Sequence, residues 1–281
     1  MYLRPIRLHV ALENLAQGAR VLAGATDLLP AAGEWGLEGE FVDVSRLESL
    51  RGISHDGDCV RIGGATTWRE ISQADLAPGF AALKAAAREI GAGQIQNRGT
   101  LAGNLCNASP AADGVPPLLA LEAQVELVSR RGLRRLPLQD FLLGARKTAL
   151  APDELMTAIL CPAPAKHLRS AFLKLGARRY LVISIAMVAV ALEIVDGVAR
   201  DARVAVGACS ATAMRLPAAE AVLAGADADS ALGDRLRPEH FAALTPIDDV
   251  RASADYRRAA ALELTRRAIK SCILDESGGV V

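Results

Sequence analysis

The stretch RGTLAGNLCNASPAAD, residues 98–113, sets the expectations for the whole chain. It consists of small residues, amides and hydroxyls, with almost nothing that could fill a core. Gly99 and Gly103 permit a positive φ and the close approach of another group to the backbone. Short donors and acceptors come from Thr100, Asn104, Asn107 and Ser109. Such a run is typical of a loop that holds a polar ligand with main-chain N–H groups. The alternative is an ordinary loop.

A second turn rich in small residues lies upstream, in VLAGATDLLP at residues 21–30. It follows an apolar run, so the pattern predicts a strand, a turn and the start of a helix. Thr26 or Asp27 is a suitable cap for that helix, and its N-terminus would offer amides to a phosphate. The turn is neither a Rossmann fingerprint nor a P-loop. Two such turns predict one diphosphate held from two sides.

Together with three further segments, these turns resemble the FAD-binding subunit of the molybdenum hydroxylases. That family includes xanthine dehydrogenases, carbon monoxide dehydrogenase and 4-hydroxybenzoyl-CoA reductase. The further segments are IGGATTWREI (62–71), FLLGARKTALAPDELMTAI (141–159) and FLKLGARRYLVISIAMVAVAL (172–192). The resemblance runs from Pro5 to about Lys270.

The resemblance implies an α+β fold. It implies a two-part FAD-binding domain of the PCMH type at residues 1–164, with subdomains at about 1–55 and 56–164. A small α/β C-terminal domain with an antiparallel sheet is expected at 168–275. A linker near residues 161–165, CPAPA, separates the two.

The resemblance also assigns residues to the cofactor. The first turn would wrap the FAD diphosphate, and the second stretch would continue the site. The assigned residues are Val21, Leu22, Ala23, Gly24, Ala25, Thr26, Asp27, Leu28, Ile95, Gly99, Thr100, Gly103, Asn104, Cys106, Asn107, Asp113, Leu150, Lys174 and Tyr180. Two of the positions depart from the family pattern. Ala25 stands where the family usually has Gly or Asn, and Ala102 replaces the first of two paired glycines.

Three of these residues have competing interpretations. Asp113 is expected to accept hydrogen bonds from a flavin hydroxyl, or else to cap a helix that begins near Pro116 or Pro117. Lys174 would contact the flavin or its phosphates, or else lie on the surface at a strand end. Tyr180 or Ile183 would cover one face of the isoalloxazine, and a plain core strand is the alternative.

The implied function is electron transfer. A molybdenum-cofactor large subunit would hydroxylate the substrate, and a small subunit would carry 2Fe–2S clusters. This subunit would pass the electrons to an external acceptor such as NAD⁺ or a quinone, so no catalytic or metal-binding residue is expected in it. The chain lacks the Cys-rich insertion of 4-hydroxybenzoyl-CoA reductase, which favours a hydroxylase or dehydrogenase. The alternatives are a free-standing flavin reductase or oxidase, with Tyr180 as its candidate acid or base, and a non-enzymatic scaffold.

Composition agrees with a soluble globular protein in the cytoplasm. Lys plus Arg equals Asp plus Glu at 32 each, so nucleic-acid binding has no support. The five cysteines are more than 40 residues apart, which predicts reduced thiols and no local metal cluster. The N-terminus lacks a signal-peptide pattern, and the apolar run from Leu181 to Leu192 is too short to span a bilayer. The four histidines lie outside the first turn, so the FAD is expected to be non-covalent.

Periodicity and turn signals predict several elements. The expected strands are 19–23, 41–44, 124–128, 183–195 and 198–207, with hairpin turns at Asp56-Gly57 and Asp196-Gly197. The expected helices include 10–16, 66–71, 80–90, 115–122, 216–224 and 255–271. Arg130–Arg135 forms a basic patch, which predicts a solvated hairpin rather than a surface for an acidic partner.

Overall fold

A computed structural model describes residues 1–274, without the side chains of Trp35 and Asp56. Its strands are β1 (Tyr2–Leu3), β2 (Arg20–Leu22), β3 (Phe41–Asp43), β4 (Ile53–Asp56), β5 (Cys59–Gly63), β6 (Gln124–Ser129), β7 (Gly132–Pro137), β8 (Leu142–Gly144), β9 (Lys147–Thr148), β10 (Leu155–Pro162), β11 (Leu168–Leu175), β12 (Ala186–Val195), β13 (Val198–Gly207) and β14 (Met214–Arg215). Its α-helices are α1 (Leu8–Ala16), α2 (Leu28–Ala32), α3 (Trp68–Gln73), α4 (Ala81–Glu89), α5 (Gly93–Gln96), α6 (Leu101–Asn107), α7 (Val115–Ala120), α8 (Leu138–Phe141), α9 (Pro217–Leu223) and α10 (Ala254–Leu274). Helices and mainly antiparallel sheets together confirm the predicted α+β class.

The described chain forms two compact units, and each is built from separate stretches of sequence. The first unit comprises Met1–Ala74, Ile90–Ala108 and Glu122–Ala163. The second comprises Asp75–Glu89, Ser109–Leu121 and the chain from Pro164 onward. The domain bounds expected from the sequence stay a prediction, and Asp275, the last residue of the expected second domain, lies outside the described residues. No helix within residues 1–274 has the length and apolar character needed to cross a membrane.

Besides the two-stranded pair β8–β9, the first unit contains two larger sheets. In the smaller sheet β3 lies between β1 and β2 with all strands parallel. The larger sheet is antiparallel, in the order β4-β5-β10-β6-β7. The predicted hairpin at Asp56-Gly57 is confirmed as β4–β5, because Gly57 takes the positive φ of 60° that this turn needs. The predicted helix start in TTWREI is confirmed too: Thr67 and Glu70 form a capping box for α3.

The second unit is organised around β12, the second strand of the sheet β11-β12-β13-β14. Both faces of β12 are buried, since α10 packs against this strand and α7 contacts both β12 and β13. This double burial explains why its sequence, AMVAVALEIV, is a nearly continuous apolar run rather than an alternating one. The turn to β13 is the predicted Asp196-Gly197, with both residues at positive φ (52° and 73°).

The basic segment 130–135 lies on the hairpin β6–β7, and three of its four arginines are paired within the unit. Arg135 is directly opposite Glu126 across the strands and donates to it at 2.8 Å. Arg134 binds both carboxylate oxygens of Glu154 at 2.7 and 2.8 Å, and Arg131 pairs with Asp153. These pairs leave less positive charge for an acidic partner than the sequence indicates.

Glu126, like Glu154, is a buried carboxylate of this group. Burial alone would raise its pKa, but hydrogen bonds from Arg135, Thr157 and Arg61 outweigh that effect and lower the pKa below its ordinary value of 4.5. A carboxyl with a lowered folded-state pKa stabilises the fold above its unfolded-state pKa. That contribution is lost as the pH falls through the folded-state pKa.

Glu126→Gln is therefore expected to lower the melting temperature most at neutral pH. The difference from the wild type should shrink as the pH falls below about 4.5, because the carboxyl of the unfolded wild-type chain is protonated there, and it should vanish once the folded-state carboxyl is neutral as well. Thermal unfolding followed by circular dichroism between pH 7 and pH 3 measures this. Glu13→Gln, which changes an exposed carboxylate on α1, is the matched control. A difference that stays constant with pH would contradict the prediction.

Candidate functional site

A cavity of about 530 Å³ lies in the first unit, between the two turns that the sequence singles out. Both turns contribute to its wall, together with Ile95 and Leu150. The predicted residues in the wall are Val21, Ala23, Gly24, Ala25, Thr26, Asp27, Leu28, Ile95, Gly99, Thr100, Gly103, Asn104, Cys106, Asn107 and Leu150. Leu22 is buried in β2 and is not part of the wall. Asp113, Lys174 and Tyr180 belong to the second unit.

The first turn presents unused main-chain donors. None of the five consecutive amides from Gly24 to Leu28 donates a hydrogen bond to an acceptor within residues 1–274. Ala25 has a left-handed backbone with φ of 59°, which is uncommon for a residue with a Cβ and recurs at functional sites. A run of free amides around a left-handed residue is a concave donor surface suited to an anion.

Gly24 has a structural role that the sequence does not reveal. A Cβ at this position would lie 2.0 Å from the Arg98 carbonyl oxygen and 2.9 Å from the Cα of Gly99. The backbones of the first and second turns therefore cross at Gly24 with no room for a side chain. This crossing holds the two turns together as one wall of the cavity.

The sequence allows a positive φ or a close approach at Gly99 and Gly103, and the structure shows the close approach without the positive φ. Gly103 lies within α6, where its amide donates to the Oγ1 of Thr100, the residue that caps the helix. A Cβ on Gly103 would lie 2.9 Å from that same oxygen. A Cβ on Gly99 would lie 3.0 Å from the carbonyl oxygen of Ile95. Both glycines therefore leave space for neighbouring protein atoms rather than supply an unusual backbone conformation.

The side-chain cap expected for α2 is also absent. Asp27 is the N-cap residue, yet neither it nor Thr26 accepts a capping hydrogen bond. Instead, Asp27 Oδ1 accepts from Asn107 Nδ2 at 2.9 Å. This hydrogen bond replaces the helix cap and joins the first turn to the end of α6.

Asn104 and Cys106 are both part of the cavity wall. The Oδ1 atom of Asn104 is buried and has no hydrogen-bond partner within residues 1–274. A buried acceptor without a partner costs roughly 1–3 kcal/mol, and a donor from a ligand in the cavity would remove that cost. Burial raises the pKa of the Cys106 thiol to about 12, which keeps it neutral and unreactive near pH 7.

Asp113 and Lys174 form an ion pair inside the second unit. Lys174 Nζ donates to Asp113 Oδ2 at 2.6 Å, and Ser184 Oγ donates to Oδ1 at 2.6 Å. The Lys174 side chain is only 7% exposed, so its alternative interpretation as a surface lysine is wrong. The capping alternative for Asp113 is wrong as well, because Gly114 is the N-cap of α7 and no side chain caps it. Burial raises the pKa of Asp113, although Lys174 and Ser184 oppose the shift.

Tyr180 and Ile183 do not belong to a core strand. They lie in the loop between β11 and β12 with 59% and 54% of their surfaces exposed, so that alternative is wrong. Arg178 donates to the carbonyl oxygens of Tyr180 and Leu181 and fixes the loop locally. The loop exposes apolar side chains, which is typical of a segment that contacts an apolar surface.

Several wall residues were not anticipated as such. They are Ala31, Val44, Leu50, Gly64, Trp68, Ile90, Ala102, Arg146, Glu154, Leu155 and Met156. Most are apolar, and periodicity cannot distinguish a side chain that lines a cavity from one that fills a core. Arg146 and Glu154 lie in the quoted segment 141–159, whose resemblance to the family was the available signal. The arrangement suits a ligand that has an anionic group and a long apolar body.

Comparison with known proteins agrees with this geometry. Residues 1–164 match the FAD-binding domain in molybdopterin dehydrogenase, and residues 171–272 match the CO dehydrogenase flavoprotein C-terminal domain. The chain is 32% identical to the nicotine 6-hydroxylase medium subunit of Paenarthrobacter nicotinovorans, over 95% of each chain. It is 31% identical to the xanthine dehydrogenase FAD-binding subunit of Escherichia coli O157:H7, over 99% of this chain and 97% of that one. The structure of carbon monoxide dehydrogenase from Hydrogenophaga pseudoflava superposes with a TM-score of 0.86 at 30% identity, covering 96% of both chains.

Fold and site thus define a flavoprotein-type subunit of an oxidoreductase. The chain belongs to the FAD-binding subunits of the molybdenum hydroxylase family, as its sequence motifs predict. Two features of the structure fit FAD. The free amides of the first turn suit its diphosphate, and the unpartnered Asn104 oxygen can accept a hydrogen bond from it.

Gly24→Ala is expected to destabilise the apo-protein, because one of the two crossing backbones would have to move. Overpacking of this kind costs about 1–3 kcal/mol, equivalent to a fall in melting temperature of roughly 2–12 °C for a chain of this size. Gly93→Ala is the matched control, since a Cβ there would meet nothing within 4 Å. Equal melting temperatures for the two variants would show that the crossing tolerates a side chain.

Proposed function

We propose that this chain holds FAD non-covalently in the cavity of the first unit, with the diphosphate against the amides of residues 24–28. It accepts electrons from 2Fe–2S clusters on a partner subunit and passes them to an external acceptor. The single observation that carries the proposal is the run of five unused amides beside a cavity of flavin-compatible size and apolar character. When bound, FAD supplies the redox chemistry that the side chains cannot.

The contribution of the protein itself is to bind, orient and exclude water. The amides of the first turn donate hydrogen bonds to the phosphate oxygens. Asn104 offers its orphaned oxygen to a donor of the cofactor. Apolar wall residues such as Ile95 and Leu150 keep water from the flavin. Contacts of Asp113, Lys174 and Tyr180 with the flavin stay predictions that the family resemblance makes.

The proposed partners follow from the family and from the relatives. The nicotine 6-hydroxylase and xanthine dehydrogenase relatives are described as a medium subunit and a FAD-binding subunit. The carbon monoxide dehydrogenase structure is described as lacking the Mo-pyranopterin moiety of its molybdenum cofactor. We therefore expect this chain to assemble with a molybdenum-cofactor large subunit and a 2Fe–2S small subunit.

Acid or heat treatment of the purified chain is expected to release FAD into the supernatant. The reason is that the cavity wall, as residues 1–274 define it, contains no histidine to form a covalent link. Chromatography of the released flavin identifies it. Flavin that stays attached to the denatured protein would contradict the non-covalent proposal, and released FMN would contradict the choice of cofactor.

Asn104→Leu is expected to act with opposite signs on binding and stability. The FAD affinity should fall about three- to tenfold, because one hydrogen bond to the ligand is lost. The apo-protein should be as stable as the wild type or more so, because the variant removes a buried acceptor that has no partner. Flavin titration and apo melting on the same sample measure both effects. Asn97→Leu, an exposed amide outside the cavity wall, is the control.

Assembly separates the proposed role from a free-standing enzyme. We expect the chain to co-purify with proteins that carry molybdenum and iron–sulfur absorbance, and the flavin of that complex to be reduced when its substrate is added. The isolated chain should show no steady turnover of NADPH or of an alcohol. Steady turnover by the isolated chain would favour a reductase or oxidase, and a purified chain without flavin would favour a scaffold.

A further inference from the structure

Arg146 stands out among the residues that line the cavity. It is the only cationic side chain in the cavity wall, as far as residues 1–274 define that wall. The two anionic residues of the wall are Asp27 and Glu154. Glu154 is already neutralised by the bidentate contact from Arg134, so its charge has a partner.

The backbone of Arg146 is fixed in an unusual conformation. Arg146 lies in the turn between β8 and β9, with a left-handed φ of 59°. Its amide donates to the carbonyl oxygen of Ala108 at 2.8 Å, which ties this turn to the end of α6. A non-glycine residue in this conformation costs of order 1 kcal/mol and persists only where the surroundings determine it.

Only one nitrogen of the Arg146 guanidinium, Nη1, donates hydrogen bonds to the described part of the chain. Nη1 donates to the backbone oxygen of Asn107 at 3.3 Å and also to the Asn107 side-chain oxygen. Asn107 in turn donates to Asp27, so a chain of hydrogen bonds runs from Arg146 to the first turn. Nε and Nη2 of Arg146 have no partner in the described part of the chain. That edge of the guanidinium has the two-donor geometry that binds phosphate oxygens.

The charges in the cavity wall indicate what the free edge of the Arg146 guanidinium would bind. A diphosphate brings about two negative charges, while Asp27, on the same wall, receives a hydrogen bond from an uncharged amide. The main-chain amides of residues 24–28 supply partial charges only. Arg146 is the group in the wall that can offset a full charge at short range.

From these contacts we infer that Arg146 is a further cofactor-binding residue, whose guanidinium binds an anionic oxygen of the FAD diphosphate. The inference rests on the proposed function and adds a cationic side chain to the main-chain amides that face the diphosphate. The turn β8–β9 then belongs to the binding site, and Asn107 positions the guanidinium.

Arg146→Gln tests the inference, with Lys147→Gln as the matched control. Both variants remove one positive charge from the same turn, but Lys147 is not part of the cavity wall. Apo-protein is titrated with FAD at low and high salt, and apo melting is recorded on the same samples. Arg146→Gln is expected to weaken FAD binding by about ten- to a hundredfold at low salt, the loss typical of a charge-assisted contact. It should also flatten the salt dependence of the affinity. Lys147→Gln should change the affinity by less than about threefold.

Arg146→Lys separates charge from the hydrogen bond to Asn107. It retains the charge, so we expect it to keep the salt dependence and to bind FAD more tightly than the Gln variant. Equal FAD affinities for Arg146→Gln and Lys147→Gln would overturn the inference. So would a Lys variant as weak as the Gln variant with no salt dependence, because Arg146 would then act only through Asn107. If the wild-type chain binds no FAD, the proposed function itself fails, which is a different result from wild-type binding with unaffected variants.

Discussion

The contact between Gly24 and the carbonyl oxygen of Arg98 is the constraint on which the candidate site depends. Two loops separated by more than 70 residues of sequence meet there, backbone against backbone. Because the crossing fixes the first turn against α6, the amides from Gly24 to Leu28 and the side chain of Asn104 border the same cavity. Hydrogen bonds from Asn107 to Asp27 and from Arg146 to Asn107 hold the adjacent rim. A side chain at position 24 would separate the turns, and the wall would lose its shape.

Local patterns predicted the regular elements well. The strands β12 and β13 follow from two apolar runs around Asp196-Gly197, since that turn type needs two residues that tolerate positive φ. The capping box of α3 could be read from Thr67 and Glu70 because its residues are three apart. In each case the deciding interactions span only a few residues of the chain.

The failures concern contacts between residues distant in sequence. The sequence indicated that Gly99 and Gly103 allow a positive φ or a close approach, but only the fold shows which protein atoms occupy the space that a Cβ would take. The buried position of Lys174 depends on Asp113, 61 residues away, and nothing local to Lys174 indicates it. Asp27 was expected to cap a helix, yet its carboxylate accepts a hydrogen bond from Asn107, 80 residues away. Composition singled out the two turns that border the cavity, while their internal hydrogen bonds could be known only from the fold.

The use of main-chain donors also explains how the family pattern tolerates Ala25. A backbone N–H binds an anion whatever side chain it carries, so the turn must preserve a backbone path rather than a set of side chains. At Ala25 that path requires φ of 59°, which a Gly or Asn adopts more easily, and Ala adopts it at a cost of about 1 kcal/mol. Gly24 tolerates no side chain, because a Cβ there would lie 2.0 Å from the carbonyl oxygen of Arg98.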